Sequence, residues 1–290
     1  MAIDYQRLRN WQFDERVDHY TTRDCILYAL GLGYGSDPLD EAELRYVHED
    51  GTQALPTLLA TVGAPTGWAA DPATGIAWLH ILHGEHRMSF HAPLATQASV
   101  RSRTRVSHVV DKGADKGALV VTQRDITDAV SGAPLASVEH VSFCRADGGF
   151  GVGDAPPAAL PTPPSREPDH VVSLLTVPQQ ALLYRLNGDL NPVHALPQVA
   201  RDVGFERPIL HGLCTYGMAA RAVLRVCGNN GALRLANIAT RFSAPFFPGE
   251  TLRVEIWRAD EHVQFRAWAH ERGVVVLNNG VVQLVAMDQG

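Results

Sequence analysis

The stretch Tyr184 to Met218, YRLNGDLNPVHALPQVARDVGFERPILHGLCTYGM, sets an Asp, an Asn, two His and a glycine-led apolar helix close together in the chain. Its densest part is Gly188, Asp189, Leu190, Asn191, Pro192, Val193 and His194. On an unbroken helix, residues five apart are rotated by about 140° and cannot face one target. Pro192 forbids that helix, and it pushes Asn191 before it toward an extended or helix-capping conformation. The segment then becomes a rigid turn that can aim Asp189 and His194 at one point, as a two-residue acid/base site requires. Gly-Asp and Asn-Pro are also ordinary turn pairs, so the motif alone fits a structural turn equally well.

The residues that follow tip this balance. Leu213 to Val226, with Gly228 as stop signal, reads as a helix that is apolar on most sides and therefore buried. Gly212 at its start lets a ligand approach free backbone N–H groups at the positive helix end, where a developing oxyanion could be held.

Working outward, residues 147–168 form the clearest boundary. Three glycines fall within 148–151, and Pro156, Pro157, Pro161, Pro163, Pro164 and Pro168 follow, a composition that suits an extended crossover rather than a sheet. Before it, residues 1–20 read as a surface arm, and Thr21 with Asp24 forms a capping box ahead of an apolar helix, Cys25 to Leu32. Pro56 to Val62 reads as a second apolar helix, and strands are expected near 76–91, 97–110, 117–128 and 134–145. Beyond the boundary the plan recurs: a strand near 170–176, a capping box at Thr176 and Gln179, a helix through Tyr184, the site block, the long helix, and strands near 234–244, 250–258, 262–270 and 274–286. Asn279-Gly280 suits a tight turn or a bulge.

The recurrence is explicit in the residues. Ile26, Leu27, Tyr28 and Leu30 match Leu182, Leu183, Tyr184 and Leu186 at one constant offset; Pro56 and Leu58 match Pro208 and Leu210, and Phe90, Ala92 and Pro93 match Phe242, Ala244 and Pro245, at another. Two copies of a helix-in-sheet unit are the economical explanation. The first copy has no counterpart of Asp189, Asn191 or His194, and it carries Leu59-Ala60 where the second carries His211-Gly212. Only the second can be catalytic. The first is free to hold something else.

With these residues in view, the chain resembles the hydratase 2 branch of the MaoC-like dehydratases. The family's Asp-x-Asn-Pro-x-His motif falls on Asp189, Asn191, Pro192 and His194, and its Pro-Ile-Leu-His-Gly-Leu-Cys-Thr segment on Pro208 to Thr215. LYALGLG at Leu27–Gly33, LHGE at Leu82–Glu85, DKG at Asp111–Gly113 and GGFG at Gly148–Gly151 match further landmarks in family order. The resemblance implies an α+β double hot-dog fold, two antiparallel sheets each wrapping a central helix. The N-terminal unit would be 1–146, non-catalytic and accommodating the acyl chain; 147–168 the linker; and 169–290 the catalytic unit.

It also implies addition of water to trans-2-enoyl-CoA, giving (R)-3-hydroxyacyl-CoA. Asp189 and His194 would share the proton work, Gly212 N–H would be the oxyanion donor and Asn191 would orient water or substrate. Tyr184, His211, Pro208, Leu210, His83, Gly84 and Lys112 are the substrate-binding candidates. Leu196 stands where eukaryotic relatives carry an Asp. A hot-dog thioesterase that recruits Asp189, or a non-catalytic acyl-CoA-binding protein, are the competing classes.

Composition narrows the rest. A chain of 290 residues, 46% hydrophobic, can bury one large core or two smaller ones. The formal charge of −6, with no basic stripe, argues against nucleic acid. Arg101, Arg103, Arg105, Lys112, Lys116 and Arg124 could meet a CoA phosphate, although alternating arginines are commonly a strand's wet face. Cys25, Cys144, Cys214 and Cys227 lack paired metal spacing, and Cys214 reads as core. A metal held by Asp189, His194, His211 and Cys214 is disfavoured, so no cofactor is expected beyond the coenzyme A of the substrate. No apolar run approaches the ~20 residues of a membrane span, and nothing at the N-terminus reads as a signal peptide. The C-terminal Asp-Gln-Gly is no peroxisomal address. A cytoplasmic protein is expected, as a homodimer of double hot dogs or a two-domain monomer.

Overall fold

The computed structural model describes residues 3–229 and 232–287; the C-terminal tripeptide lies outside them. The helices are α1 (Tyr5–Arg9), α2 (Thr22–Gly31), α3 (Glu41–Leu44), α4 (Gln180–Tyr184), α5 (Pro197–Asp202) and α6 (Gly212–Cys227). The strands of the first half are β1 (Arg16–Tyr20), β2 (Ile81–Phe90), β3 (Ala98–Asp111), β4 (Ala118–Asp128) and β5 (Pro134–Cys144). Those of the second are β6 (His170–Leu175), β7 (Leu233–Phe242), β8 (Thr251–Arg258), β9 (Val263–Ala269) and β10 (Val274–Ala286).

The double hot-dog plan is present, with one correction to the expectation of two sheets. All ten strands form a single antiparallel sheet in the order β1-β3-β4-β5-β2-β7-β10-β9-β8-β6. The two halves of that order repeat one topology, and they fuse where β2 pairs with β7, from Glu85↔Arg241 to Ser89↔Asn237. Pairing each unit's free edge with the other's removes two exposed edges at once.

The long helix α6 is buried over most of its length, from Cys214 to Val223, and packs on β6, β7, β8 and β9. Its counterpart in the first unit is shorter than expected. Pro56–Ala60 is a single 3₁₀ turn, because the Arg124 guanidinium donates to the carbonyls of Leu59, Ala60 and Val62 and so satisfies the end of that turn. Helix α3 is held to α6 across the molecule by a buried ion pair. Arg221 Nε and Nη2 each donate to the Glu43 carboxylate at 2.7 Å, and Arg221 Nη1 donates to Leu32 O at 3.2 Å.

Three local expectations are corrected. The surface arm is part of the fold: Ile3 and Leu8 are buried, and β1 pairs with β3 from Arg16↔Ser102 to Tyr20↔Ala98. Only Tyr20 of that strand is buried, so no alternation marked it. The capping box at Thr21 and Asp24 forms, but the one at Thr176 and Gln179 does not. Thr176 Oγ1 instead donates to Glu250 O at 2.7 Å, and Gln180 Oε1 receives Val177 N–H. Strand β2 starts at Ile81, after 3₁₀ turns at Pro72–Thr74 and Trp78–His80. Asn279-Gly280 is a bulge within β10, where the register to β9 shifts. The crossover is extended and is tied down along the second unit, with Trp257 Nε1 donating to Arg166 O and Gln264 Nε2 to Thr162 O.

Candidate active site

Pro192 does break the helix: Pro192–His194 is one 3₁₀ turn, capped by Asn191 Oδ1, which accepts Val193 N–H at 3.1 Å. Asp189 Oδ1 accepts Asn191 N–H at 3.1 Å. These two Asx contacts fix the turn and engage the Asn191 carbonyl oxygen in structure.

The result is convergence. One ligand atom from each of Asp189, His194 and His211 lies within 4.8 Å of the other two. The His194 and His211 rings stack, with centroids 3.7 Å apart. His194 Nδ1 donates to Ile209 O at 2.9 Å; a carbonyl can only accept, so the tautomer is set and Nε2 is left free as an acceptor. By the same reasoning His211 Nε2 donates to Asp189 O at 3.1 Å, which ties the Asp189 turn to the start of α6. His211 is a brace for that turn.

Burial sets the charge of this group. Desolvation holds His194 below its usual 6.5, against the opposing pull of its Ile209 hydrogen bond and of Asp189. Burial and the neighbouring His194 take His211 down to about 4. Both rings are therefore neutral at pH 7 beside a carboxylate. Arg185 adds positive charge next to both histidines, and its Nη2 donates to Leu190 O at 3.3 Å, closing the Asp189 loop.

Gly212 is the first residue of α6, so its N–H has no partner within the helix. A Cβ here would stand 3.0 Å from Phe242 Cε1, so glycine lets the helix start lie against that ring without displacing it. Tyr184 is fully buried and packs its ring on His211 at 5.1 Å and on Tyr28 at 5.9 Å, beneath the site.

The remaining candidates are placed at varied distances from this centre. Leu210 is buried behind the loop, its N–H donating to Phe246 O, and Pro208 is half-buried beside it. His83 rests on Phe242, ring centroids 4.2 Å apart, and so reaches the Gly212 neighbourhood from β2. Gly84, next to it, is where the β2–β5 register shifts. Lys112 is exposed in the β3–β4 turn, its Nζ over the Phe143 ring. The preceding Asp111 carboxylate accepts the N–H groups of Gly113, Gly149 and Gly151, which makes the DKG and GGFG segments a structural knot. Arg101 and Arg103 pair with Glu15, Arg105 pairs with Asp125, and Arg124 is buried, so these side chains are engaged within the protein. Cys214 is fully buried and donates to Gly31 O. Phe242, Arg185, His86 and His140 were not singled out from sequence; the Phe90–Phe242 match in the repeat was the one available signal.

Residues 159–279 match the family described as MaoC like domain, and residues 19–146 match the MFE-2 hydratase 2 N-terminal domain. Enoyl-CoA hydratase ChsH3 of Mycobacterium tuberculosis is 38% identical over 266 residues, 90% of this chain and 92% of that protein. The 3-hydroxyacyl-thioester dehydratase Y of the same organism is 39% identical over 273 residues, 92% of this chain and 93% of that one. Among solved structures, a MaoC-like dehydratase from Phytophthora capsici superposes with a TM-score of 0.83 at 32% identity, covering 97% of this chain and 99% of the other. The repeated sheet, the Asp189–His194 turn at the foot of α6 and these full-length likenesses agree: the chain belongs to the MaoC-like hydratase 2 family.

Proposed function

We propose that this protein is a hydro-lyase that adds water reversibly to trans-2-enoyl-CoA to give (R)-3-hydroxyacyl-CoA, with Asp189 and His194 as the acid/base pair. The observation that carries the assignment of residues is the convergence of Asp189 and His194, one ligand atom of each within 4.8 Å of the other, with His194 Nδ1 held by Ile209 O so that Nε2 remains as the acceptor. A water bound between them gives its oxygen to C3 and one proton to the pair. The negative charge that develops on the thioester oxygen is met by Gly212 N–H at the positive end of α6. The pair then returns a proton to C2, so that H and OH have been added and the residues end as they began. None of these steps asks for a cofactor beyond the substrate's own coenzyme A.

The acyl tail is assigned to the first unit, under the 3₁₀ turn Pro56–Ala60 that replaces a long helix there. Added bulk at that turn, as in Ala60→Trp, should spare a four-carbon substrate and slow long ones, by up to about 0.8 kcal/mol for each CH₂ kept from burial; equal slowing of both would send the tail elsewhere. A cytoplasmic location is supported by four cysteines that are all unpaired. No described helix is long and apolar enough to cross a membrane.

The test is to mix the protein with a series of trans-2-enoyl-CoAs and follow enone absorbance, free thiol and product chirality. Loss of enone without thiol, yielding the (R) alcohol, is expected. Thiol release ahead of enone loss would select a thioesterase instead.

A further inference from the structure

A second histidine cluster lies outside the acid/base pair. His83 and His86 are both on β2, three residues apart, and in a regular strand they would face opposite sides. The register of β2 against β5 slips between His83 and Glu85, and this bulge returns His83 to the face that His86 occupies. Gly84 allows it, since a Cβ there would press on Val141 O at 3.2 Å. His140 sits directly opposite His86 on β5. The ring centroids of His83 and His140 are 3.9 Å apart, and those of His83 and His86 are 5.2 Å apart.

One ring nitrogen from each of the three lies within 4.8 Å of the others. His86 is only 1% exposed. Neither of its ring nitrogens, nor Nε2 of His83, has a hydrogen-bond partner in the protein, and all three atoms are sealed from solvent. Buried imidazole nitrogens without partners are costly, and one nitrogen each from His83, His86 and His140 would make a three-imidazole ligand set.

We propose that His83, His86 and His140 form a site for a divalent transition metal that prefers imidazole nitrogen, such as zinc or cobalt, distinct from the acid/base pair. Burial supports this by keeping all three rings neutral, with His140 near 4 and the other two well below 6.5, and only the neutral ring ligates. Of the charges that face the cluster, Asp189 favours a cation, while Arg124 opposes it. The Arg124 guanidinium is already engaged by the carbonyls of Leu59, Ala60 and Val62. Bound metal would cross-link β2 to β5 beside Tyr216 of α6, whose ring is 5.1 Å from that of His86, and three protein ligands would leave an outer position open.

The test is titration of the whole protein, stripped by chelator, with Zn²⁺ by calorimetry and with Co²⁺ by visible absorbance, together with melting temperature at each Zn²⁺ level. We expect one equivalent to bind with micromolar or tighter affinity and to raise the melting temperature. Binding should persist in Asp189→Asn/His194→Gln and weaken by about 100-fold in His86→Gln and in His140→Gln. The second of these sits at a half-buried position and reads the same ligand set if the first fails to fold. Absence of a stoichiometric equivalent in the unaltered protein would overturn the assignment. So would binding that is lost in the Asp189/His194 variant, whether or not the His86 and His140 variants keep it.

Discussion

Replacing Glu43 by Gln tests how the two halves are locked together. The Arg221 guanidinium is 4% exposed and makes two 2.7 Å hydrogen bonds to the Glu43 carboxylate, lies over the Tyr34 ring at 4.8 Å, and reaches Leu32 O and Ser36 Oγ. The glutamine keeps the shape and one acceptor but removes the negative charge, leaving a buried cation without its counter-ion. Breaking a buried pair from one side costs about 3–5 kcal/mol, a large part of the roughly 5–15 kcal/mol that holds a typical protein folded. With a urea m-value of about 3 kcal/mol/M, the unfolding midpoint should fall by about 1–1.7 M. Arg221→Met/Glu43→Leu, which removes both charges and keeps apolar volume, should recover most of that loss. Equilibrium urea unfolding followed by tyrosine and tryptophan fluorescence measures both variants. A Glu43→Gln midpoint within about 0.3 M of the unaltered protein would refute the argument, because it would mean that Arg221 finds equal solvation without its partner.

The remaining predictions concern the chemistry. Asp189→Asn and His194→Gln should each leave a folded protein and lower kcat by at least about 10³-fold, with the double variant hardly worse than either single, as for residues that act as one unit; steady-state hydration of crotonyl-CoA reads this, and near-normal turnover in either variant would remove that residue from the mechanism. His194 is held below 6.5 by burial and must be neutral to accept the water's proton, so kcat/KM should be flat above pH 6.5 and fall only as pH drops through the lowered pKa; an acid limb centred above 7 would contradict the burial argument. Hydration by protein dialysed against EDTA should match that of untreated protein at 25 °C, since in the proposed mechanism the pair and Gly212 N–H supply the chemistry; an inactive sample rescued by zinc would place a metal in the reaction.

The features that could be read from the chain are those in which cause and consequence are close in sequence. Pro192 and the two Asx contacts act within six residues, so the turn that gathers Asp189 and His194 follows from local stereochemistry. The start of α6 at Gly212 and its stop at Gly228 are likewise capping signals on the chain itself. The strands from β2 to β10 were legible because buried and exposed positions alternate or run together between turn residues. Strand β1 was not, since four of its five residues keep some exposure and its place depends on its pairing with β3.

Register is what the chain does not spell out. Glu43 and Arg221 are 178 residues apart, and nothing local marks a half-exposed-looking acidic helix as one end of a buried pair. The histidine cluster is the same problem in a sheet. His83 and His86 read as opposite faces of a strand, and His140 belongs to a hairpin beyond it, so no metal spacing is visible in sequence. One extra residue at Gly84, together with the alignment of His86 against His140, brings all three together. A bulge changes the face of every residue on one side of it. The LHGE landmark is therefore read more fully as a bulge motif than as a contact motif: its glycine sets the side from which His83 meets Phe242, and Phe242 in turn closes on Gly212. Through that chain of contacts the first unit, which carries neither Asp189 nor His194, shapes the wall beside Gly212, the proposed oxyanion donor.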